Sequence, residues 1–337
     1  MRRLTNRLLV GDALTELRRL PAASADMILT SPPYFRLRDY GVAGQLGLEA
    51  TVEDWVRNLH AVAGELARVL TPTGTLWLNL GDSYATHPAQ GAARKSLLLG
   101  PERLALQLLA DGWLLRNKIV WQKSNPMPTS VRDRLACTWE SIYIFARQPR
   151  YYFNLDAIRE PHRSRSPARP AEHVARPDAA EPWRGPNAGS GRGLARLRAA
   201  GRPGHPLGKN PGDVWRLASS SYRGDHRATF PMALAEQAIR AGCPERCCST
   251  CGRPWQRRLL RALGAVATRG TLTPTCACPA ATDRPGLVLD PFFGAGSTAL
   301  AAEQLGRDWL GIELSAAFAA EARQRLERAR GGAQMAA

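Results

Sequence analysis

Over most of the first 150 positions, apolar residues fall in short clusters separated by polar stretches. Asp26 to Thr30, Thr75 to Leu80, Asn117 to Trp121 and Glu140 to Ala146 concentrate β-branched, aromatic and long aliphatic side chains in runs too short for helices. Such runs predict strands. Val52 to Leu70 and Pro101 to Gly112 instead repeat apolar positions at three- and four-residue intervals, the period of an amphipathic helix. Pro101 suits a first helical position and Gly112 a stop just past the last turn. Gly74 marks the turn into the next strand. Near the other end, Leu287 to Asp290 and Trp309 to Glu313 read as two strands around an alanine-rich helix. This alternation predicts an α/β fold, doubly wound, with a mostly parallel sheet and helices on both faces. In such sheets ligands bind beyond the carboxyl ends of strands. Asp12, Ser31, Asp290 and Glu313 are all expected at such ends, so segments far apart in sequence can meet in space.

Residues 161 to about 210 break the pattern. They are dense in Arg, Pro and Gly, with few apolar side chains to bury, and are expected to be mobile without a partner. The whole chain has 337 residues, 46 Lys and Arg against 29 Asp and Glu, a formal charge of +17 and a pI near 10.4. That balance calls for an anionic partner, most simply nucleic acid. The scarcity of lysine beside arginine also fits a GC-rich coding bias, which explains the type of base better than its excess over acid. No apolar run approaches the ~20 residues of a membrane span, and the N-terminus lacks the apolar core of a signal peptide. A cytoplasmic protein with no membrane partner is expected.

Two strand ends carry distinctive chemistry. After Met27-Ile28-Leu29 comes Thr30-Ser31-Pro32-Pro33-Tyr34. The prolines lack N–H groups and stiffen the turn. Carbonyl oxygens and the Ser31 hydroxyl can then face outward as acceptors beside the Tyr34 ring, a surface suited to a planar base with an exocyclic amino group. The second end is Asp290-Pro291-Phe292-Phe293-Gly294-Ala295-Gly296-Ser297-Thr298. Gly294 and Gly296 permit positive φ and close backbone approach to a ligand, and Ser297 or Thr298 can cap the following helix. About fifteen residues on, Glu313 closes the next strand. Strand, glycine turn, helix, strand and acid form a nucleotide-binding unit in which the acid binds ribose hydroxyls.

On these residues the chain resembles the β group of DNA amino-methyltransferases, which use S-adenosylmethionine. In that group the catalytic tetrapeptide lies N-terminal and the Phe-x-Gly-x-Gly cofactor turn C-terminal, a circularly permuted order that Ser31 to Tyr34 and Phe292 to Gly296 follow. Gly11-Asp12-Ala13-Leu14 resembles the acidic strand end that touches the cofactor adenine. Trp121 to Pro128, Asp133-Arg134 and Glu140 resemble the stretch after the fifth strand, and Phe230-Pro231-Met232-Ala233-Leu234 the element closing over the methionine end of the cofactor. The resemblance covers about residues 8–160 and 210–330. It implies a seven-stranded Rossmann-like methyltransferase sheet, with Ser31, Pro32, Pro33 and Tyr34 catalytic. Asp12, Phe230, Pro231, Leu234, Asp290, Phe292, Gly294, Gly296, Ser297, Thr298 and Glu313 would bind the cofactor. The implied division is a catalytic half (1–160), a basic target-recognition segment (161–212), a cofactor-closing segment (213–242), a cysteine-rich insertion (243–282) and a cofactor half (283–337).

Six of the seven cysteines lie between 243 and 278. Cys248-Ser249-Thr250-Cys251-Gly252 looks like one knuckle of a zinc ribbon, and Cys276-Ala277-Cys278 would supply the second pair. Zinc takes four thiolates in a tetrahedron, and such clustering in a cytoplasmic protein favours metal over disulfides. The second pair has one intervening residue where ribbons usually have two, and Cys243 or Cys247 could replace one ligand. Reduced free thiols are the other reading. Cys137, isolated and without a preceding proline, reads as a buried core residue.

The expected reaction is methyl transfer from S-adenosylmethionine to an exocyclic amine of a base flipped out of duplex DNA. Ser before Pro-Pro-Tyr usually accompanies N4-methylation of cytosine in the resembling enzymes, Asp or Asn there N6-methylation of adenine; Ser31 favours cytosine. Lys123 and Asn125 are candidates to hold the flipped nucleotide. Arg163, Arg165, Arg169 and Arg192 are candidates to track phosphates and read guanine edges, unless the segment is only a solvated linker. A partner restriction endonuclease is compatible with this reading. An RNA methyltransferase and a non-enzymatic zinc-dependent DNA-binding protein are the competing classes.

Overall fold

The computed structural model describes residues 4–161, 205–220, 229–260, 268–279 and 282–335. Eight strands form the main sheet: β1 (Arg7–Val10), β2 (Ala25–Thr30), β3 (Leu70–Leu80), β4 (Leu114–Lys123), β5 (Trp139–Ala146), β6 (Val214–Leu217), β11 (Leu287–Asp290) and β12 (Asp308–Glu313). Their order across the sheet is β1-β12-β11-β2-β3-β5-β4-β6. Five of the seven neighbouring pairs are parallel; β5 runs antiparallel to both β3 and β4. The sheet thus has one strand more than the seven expected. β6 is four residues long with only Trp215 buried, which is too little apolar pattern to mark a strand beforehand.

The expected strands and helices form where their patterns place them, except that β3 already begins at Leu70, so Gly74 lies within the strand and not at a turn into it. β2, at the centre, is buried along its whole length. α2 (Val52–Val69) turns Val52, Trp55, Val56, Leu59, Val62, Ala63 and Leu66 inward, the face its periodicity predicts. Full burial of each of the larger side chains contributes about 1.5–3 kcal/mol. Thr51 caps α2 by accepting from Asp54 N–H at 3.1 Å. α3 (Gly100–Ala110) has Pro101 in its first turn, and Gly112 follows its end with φ of +87°. α1 (Ala13–Arg19), α4 (Met232–Gly242), α5 (Ser297–Gln304) and α6 (Ala316–Met335) are the other α-helices among the described residues.

Four shorter strands stand outside the main sheet. β7 (Arg246–Cys248) pairs antiparallel with β10 (Asp283–Pro285), and β8 (Gln256–Leu260) pairs with β9 (Thr268–Thr273). β10 is tied to the sheet by charge: Arg284 donates to the buried Asp26 at 2.5 and 3.0 Å, and Asp26 also accepts from Leu287 N–H at 2.8 Å. Two compact units result. One comprises Met1–Asn154, Gly212–Gln256 and Leu272–Ala337, the other Leu155–Pro211 and Arg257–Thr271. Within the second, Glu160 and Lys209 exchange backbone hydrogen bonds of 3.1 and 2.9 Å, and their side chains pair at 2.8 Å. Among the described residues no helix is long and apolar enough to cross a membrane.

Cys137 departs from expectation. It is exposed, and Arg134 Nη1 lies 3.5 Å from its sulfur. Its small apolar side chain suits a core, but the segment between β4 and β5 is a surface connection in which Met127 and Leu135 are also exposed.

Candidate active site

Strand direction decides which residues share an edge. The carboxyl ends of β1, β12, β11, β2 and β3 all lie on one side because these strands are parallel. β5 is reversed, so its amino end, Trp139-Glu140, faces that same side. β4 is reversed again and brings Lys123 there, followed by β6 with Leu217. Along this edge lies a cavity of about 600 Å³, within the size range of small-molecule sites. Ser31, Pro32, Pro33 and Tyr34 line it together with Asp12, Phe230, Phe292, Gly294, Ser297 and Glu313. Lys123 and Asn125 line it as well. The N-terminal tetrapeptide and the C-terminal glycine turn, more than 250 residues apart in sequence, therefore share one cavity.

The tetrapeptide is held from several directions. The Trp55 indole N–H donates to the Pro33 carbonyl at 2.9 Å. Ser31 donates to the Tyr34 hydroxyl at 3.3 Å, and Tyr34 donates to Glu140 Oε2 at 2.6 Å. Asn79 Nδ2 donates to the same oxygen at 3.1 Å and to the Ser141 carbonyl at 3.2 Å. Lys123 Nζ completes the set, 2.5 Å from Glu140 Oε1 and over the Trp121 ring at 5.4 Å. Burial, then the Glu140 charge, pushes the Tyr34 hydroxyl well above its ordinary range, so it stays protonated. Gly81 lies against the ring: a Cβ there would be 2.7 Å from Tyr34 Cε2. Only a glycine leaves room for the tyrosine in this position.

The glycine turn is held with equal care. Gly294 and Gly296 have φ of +51° and +76°, as their type predicts. Glu313 Oε2 accepts from Gly294 N–H at 2.8 Å and Oε1 from Ser315 N–H at 2.9 Å. Burial raises the Glu313 carboxyl above its usual range. Phe293 stacks on Trp309 with centroids 5.3 Å apart and covers Gly311, where a Cβ would be 2.2 Å from the ring. Asp290 is buried beneath the turn, accepting from Thr30 Oγ1 at 2.7 Å, Thr298 Oγ1 at 2.6 Å and Phe292 N–H at 3.2 Å. Its burial pushes the carboxyl up to about 7, against the lowering effect of those hydroxyls. Neither Ser297 nor Thr298 caps α5. Gly296 holds the N-cap position without a side-chain bond, and the two residues form the first turn. The Thr298 hydroxyl is already used by Asp290, while Ser297 accepts from Arg325 at 3.1 Å.

Other expected residues are placed as follows. Asp12 caps α1, accepting from Thr15 N–H at 2.8 Å, with its side chain at the cavity wall. Phe230 is buried at the wall, Pro231 precedes α4, and Leu234 is fully buried within that helix's packed face. Asn125 Oδ1 accepts from Ser219 N–H at 2.7 Å. Arg163, Arg165, Arg169 and Arg192 lie outside the described residues. Tyr40 and Phe318, in edge-to-face contact at 6.3 Å, and Asn79 line the cavity without having been expected there. Asn79 had a readable sign: it begins Asn-Leu-Gly-Asp at the end of an apolar run. Isolated aromatics such as Tyr40 carry none.

Apart from this cavity, Cys248, Cys251, Cys276 and Cys278 place their four sulfurs within 4.8 Å of one another. A tetrahedron with Zn–S bonds near 2.3 Å has S···S edges of about 3.8 Å, so the set fits such an ion after a small contraction. The knuckle is shaped for thiolate: Gly252 takes φ of +71°, and Gly252 N–H bonds to the Cys248 carbonyl at 2.9 Å. Backbone N–H groups of Cys251 and Thr250 help lower the Cys248 thiol to about 6. Cys243 and Cys247 are buried and outside this group.

A family model described as DNA methylase matches residues 25–324. The chain belongs to the DNA methylase family. It is a DNA amino-methyltransferase of the N6 or N4 type, dependent on S-adenosylmethionine. The Type II methyltransferase M.XycI of Xanthomonas campestris pv. cyanopsidis is 32% identical over 338 aligned residues, covering 94% of this chain and 86% of its own. The Type II methyltransferase M.SmaI of Serratia marcescens is 30% identical, covering 96% and 91%. Among solved structures, the cytosine-N4-specific PvuII DNA methyltransferase superposes with a TM-score of 0.56 at 17% identity, covering 94% of this chain and 84% of that one. A putative DNA modification methylase from Thermus thermophilus, complexed with S-adenosyl-L-methionine, gives 0.54 at 22% identity, covering 96% and 93%. These two structures share the α/β fold of this chain.

Proposed function

We propose that this methyltransferase acts on the N4 amino group of a cytosine flipped from duplex DNA, at a specific sequence, as the modification member of a restriction–modification system. The observation that carries the proposal is the single cavity joining the Ser31–Tyr34 acceptor face to the Phe292–Gly296 turn and Glu313. Type II methyltransferases among the relatives support the biological setting and, with it, a cognate restriction endonuclease as partner. The serine at position 31 is the basis for choosing cytosine.

The cavity suits S-adenosylmethionine. Asp12 and Glu313 offer carboxylates to hydroxyl and amino groups, Phe292 and Phe230 offer rings to a purine, and the Gly294 turn lets a ligand approach the backbone. When bound, the cofactor supplies an electrophilic methyl on a sulfonium, which is the difficult chemistry. The chain's part is position and polarity. The Pro33 carbonyl is already taken by Trp55, which leaves the Pro32 carbonyl and Ser31 Oγ to accept the two amino hydrogens. Those bonds localise the nitrogen lone pair, Tyr34 stacks on the base, and the nitrogen is brought within about 3–3.5 Å of the methyl carbon. Held by Asp12, Phe292 and Glu313, the cofactor would supply the methyl and keep the C–S electron pair on sulfur, and the surplus proton on the substrate nitrogen would pass to water. Lys123 and Asn125, at the wall, hold the flipped nucleotide.

The remaining parts of the proposal concern organisation. The order of tetrapeptide and cofactor turn is permuted, with residues 1–160 as catalytic half and 283–337 as cofactor half. Residues 213–242 close over the cofactor, and the basic segment 161–212 meets DNA through Arg163, Arg165, Arg169 and Arg192. Residues 243–282 hold one structural zinc through Cys248, Cys251, Cys276 and Cys278, as a variant zinc ribbon. Mass spectrometry of nucleosides from DNA treated with the protein and S-adenosylmethionine tests the central claim. N4-methylcytosine is expected. N6-methyladenine would move the acceptor to adenine, and methylation of RNA with none on DNA would overturn the substrate.

A further inference from the structure

We infer that Glu140 is a positioning residue that locks the Ser31 hydroxyl as a hydrogen-bond acceptor toward the substrate, so that the site admits an amino group and rejects a carbonyl. This inference rests on the amino-acceptor reading of Ser31 given above.

It follows from counting protons along one chain of groups. Lys123 has only donors, and one of them points to Glu140 Oε1 at 2.5 Å. An ionised Glu140 has only acceptors, so at 2.6 Å from its Oε2 the Tyr34 hydroxyl must donate. Asn79 donates to the same oxygen at 3.1 Å, and its amide is oriented by the second bond, to the Ser141 carbonyl. Asn79 Oδ1, 3.4 Å away, is a second acceptor within reach, but the shorter bond to the carboxylate takes the Tyr34 proton; the Tyr34 oxygen can then only accept, and Ser31 donates to it at 3.3 Å. The Ser31 proton is then committed as well, and its remaining lone pairs are what it can present to the cavity. A free serine hydroxyl would serve equally as donor or acceptor. Here the charge on Glu140, two hydrogen bonds away, removes that ambiguity. Gly81 and the Glu140 anchor keep the ring in register.

Cytosine presents N–H donors at the position where uracil presents a carbonyl oxygen, and adenine and hypoxanthine differ in the same way. Facing two acceptors costs the wrong base the bond and leaves both groups desolvated, which corresponds to a preference of about tenfold or more. The variants that disturb this without removing the ring are Tyr34→Phe and Glu140→Gln. Tyr34→Phe deletes the acceptor for the Ser31 proton. In Glu140→Gln, Lys123 claims the amide oxygen and the amide NH2 faces Tyr34, whose proton is then shared between Ser31 and Asn79 Oδ1 instead of being held by a charge.

The test is equilibrium binding of full-length protein, with sinefungin as non-reactive cofactor analogue, to duplexes carrying cytosine or uracil at the mapped methylation position, each opposite an abasic site so that neither base is paired and the flipping cost is matched. A parallel pair carries adenine or hypoxanthine if the mapped base is adenine. The wild type is expected to favour the amino base by about tenfold or more, and both variants to bring the ratio below about threefold. Loss of mere ring support would weaken both duplexes alike and keep the ratio. A wild-type ratio near one, or a wild-type ratio retained in Tyr34→Phe or in Glu140→Gln, overturns the inference. If the wild type methylates no DNA at all, the amino-acceptor reading itself has failed, and the ratio is not what decides.

Discussion

Asp290 gives the sharpest test of the electrostatics. It is 1% exposed at the end of β11, and burial lifts its carboxyl from an ordinary 3.8 to about 7. An acid whose value is raised on folding destabilises the folded state as pH rises. Below about 4 both states are protonated and there is no cost. Between about 4 and 7 the unfolded chain releases its proton first, so stability falls with rising pH. Above about 7 the cost is complete, and a displacement of this size corresponds to about 4 kcal/mol. Asp290→Asn isolates this effect because it cannot ionise. Its amide oxygen can still accept from Thr30 and Phe292 N–H, and the Thr298 hydroxyl can turn to accept from the amide NH2. The difference in unfolding free energy, Asn variant minus wild type, is therefore expected to rise by a few kcal/mol between about pH 4.5 and 8.5. Urea titrations followed by tryptophan fluorescence at several pH values measure it. A difference that stays flat to within about 0.5 kcal/mol across that range would refute the raised carboxyl, since no titrating group would then separate the two proteins.

Other expectations are quickly stated. Gly311→Ala drives a methyl into the Phe293 ring; overpacking of this kind costs about 1–3 kcal/mol, and S-adenosylmethionine affinity measured by calorimetry should fall because Phe293 belongs to the cofactor turn. Protein purified without chelators or affinity metal should carry about one zinc per chain by elemental analysis, and Cys251→Ser should lose it together with several degrees of thermal stability. A zinc content near zero would remove the claim. Ser31→Ala should slow single-turnover methylation by on the order of 10²-fold while leaving cofactor binding nearly unchanged; wild-type rates would remove Ser31 from catalysis. Deleting residues 163–203 should weaken DNA binding and flatten its dependence on salt, because fewer phosphates are neutralised, and unaltered affinity at every salt concentration would count against a DNA-binding role.

Local pattern and global topology contributed differently to what could be read beforehand. β2 and α2 were legible because their apolar periods coincide with what they bury: every residue of β2, and one face of α2. Gly294 and Gly296 were legible because positive φ selects glycine. The capping role expected of Ser297 and Thr298 failed because a stronger local demand exists. A buried carboxyl at Asp290 needs donors, and the Thr298 hydroxyl serves it instead of a helix end. β6 was invisible because an edge strand with one buried residue leaves almost no apolar signature.

Strand direction is the deeper gap, since apolar spacing reads the same both ways along the chain. The rule that ligands bind at carboxyl ends of strands finds Asp12, Ser31, Asp290 and Glu313, all on or just after parallel strands. It passes over Glu140, which stands at the amino end of β5. That strand is the one reversed member between β3 and β4, and its reversal delivers an acid to the ligand edge from the opposite chain direction. It also turns β4 around, so that Lys123 arrives beside Glu140 to hold its charge. A parallel β5 would have put Ala146 at that edge and left Tyr34 without an anion. The antiparallel pair is therefore part of the acceptor chemistry: it carries the charge that fixes which way the hydrogen bonds from Tyr34 and Ser31 run.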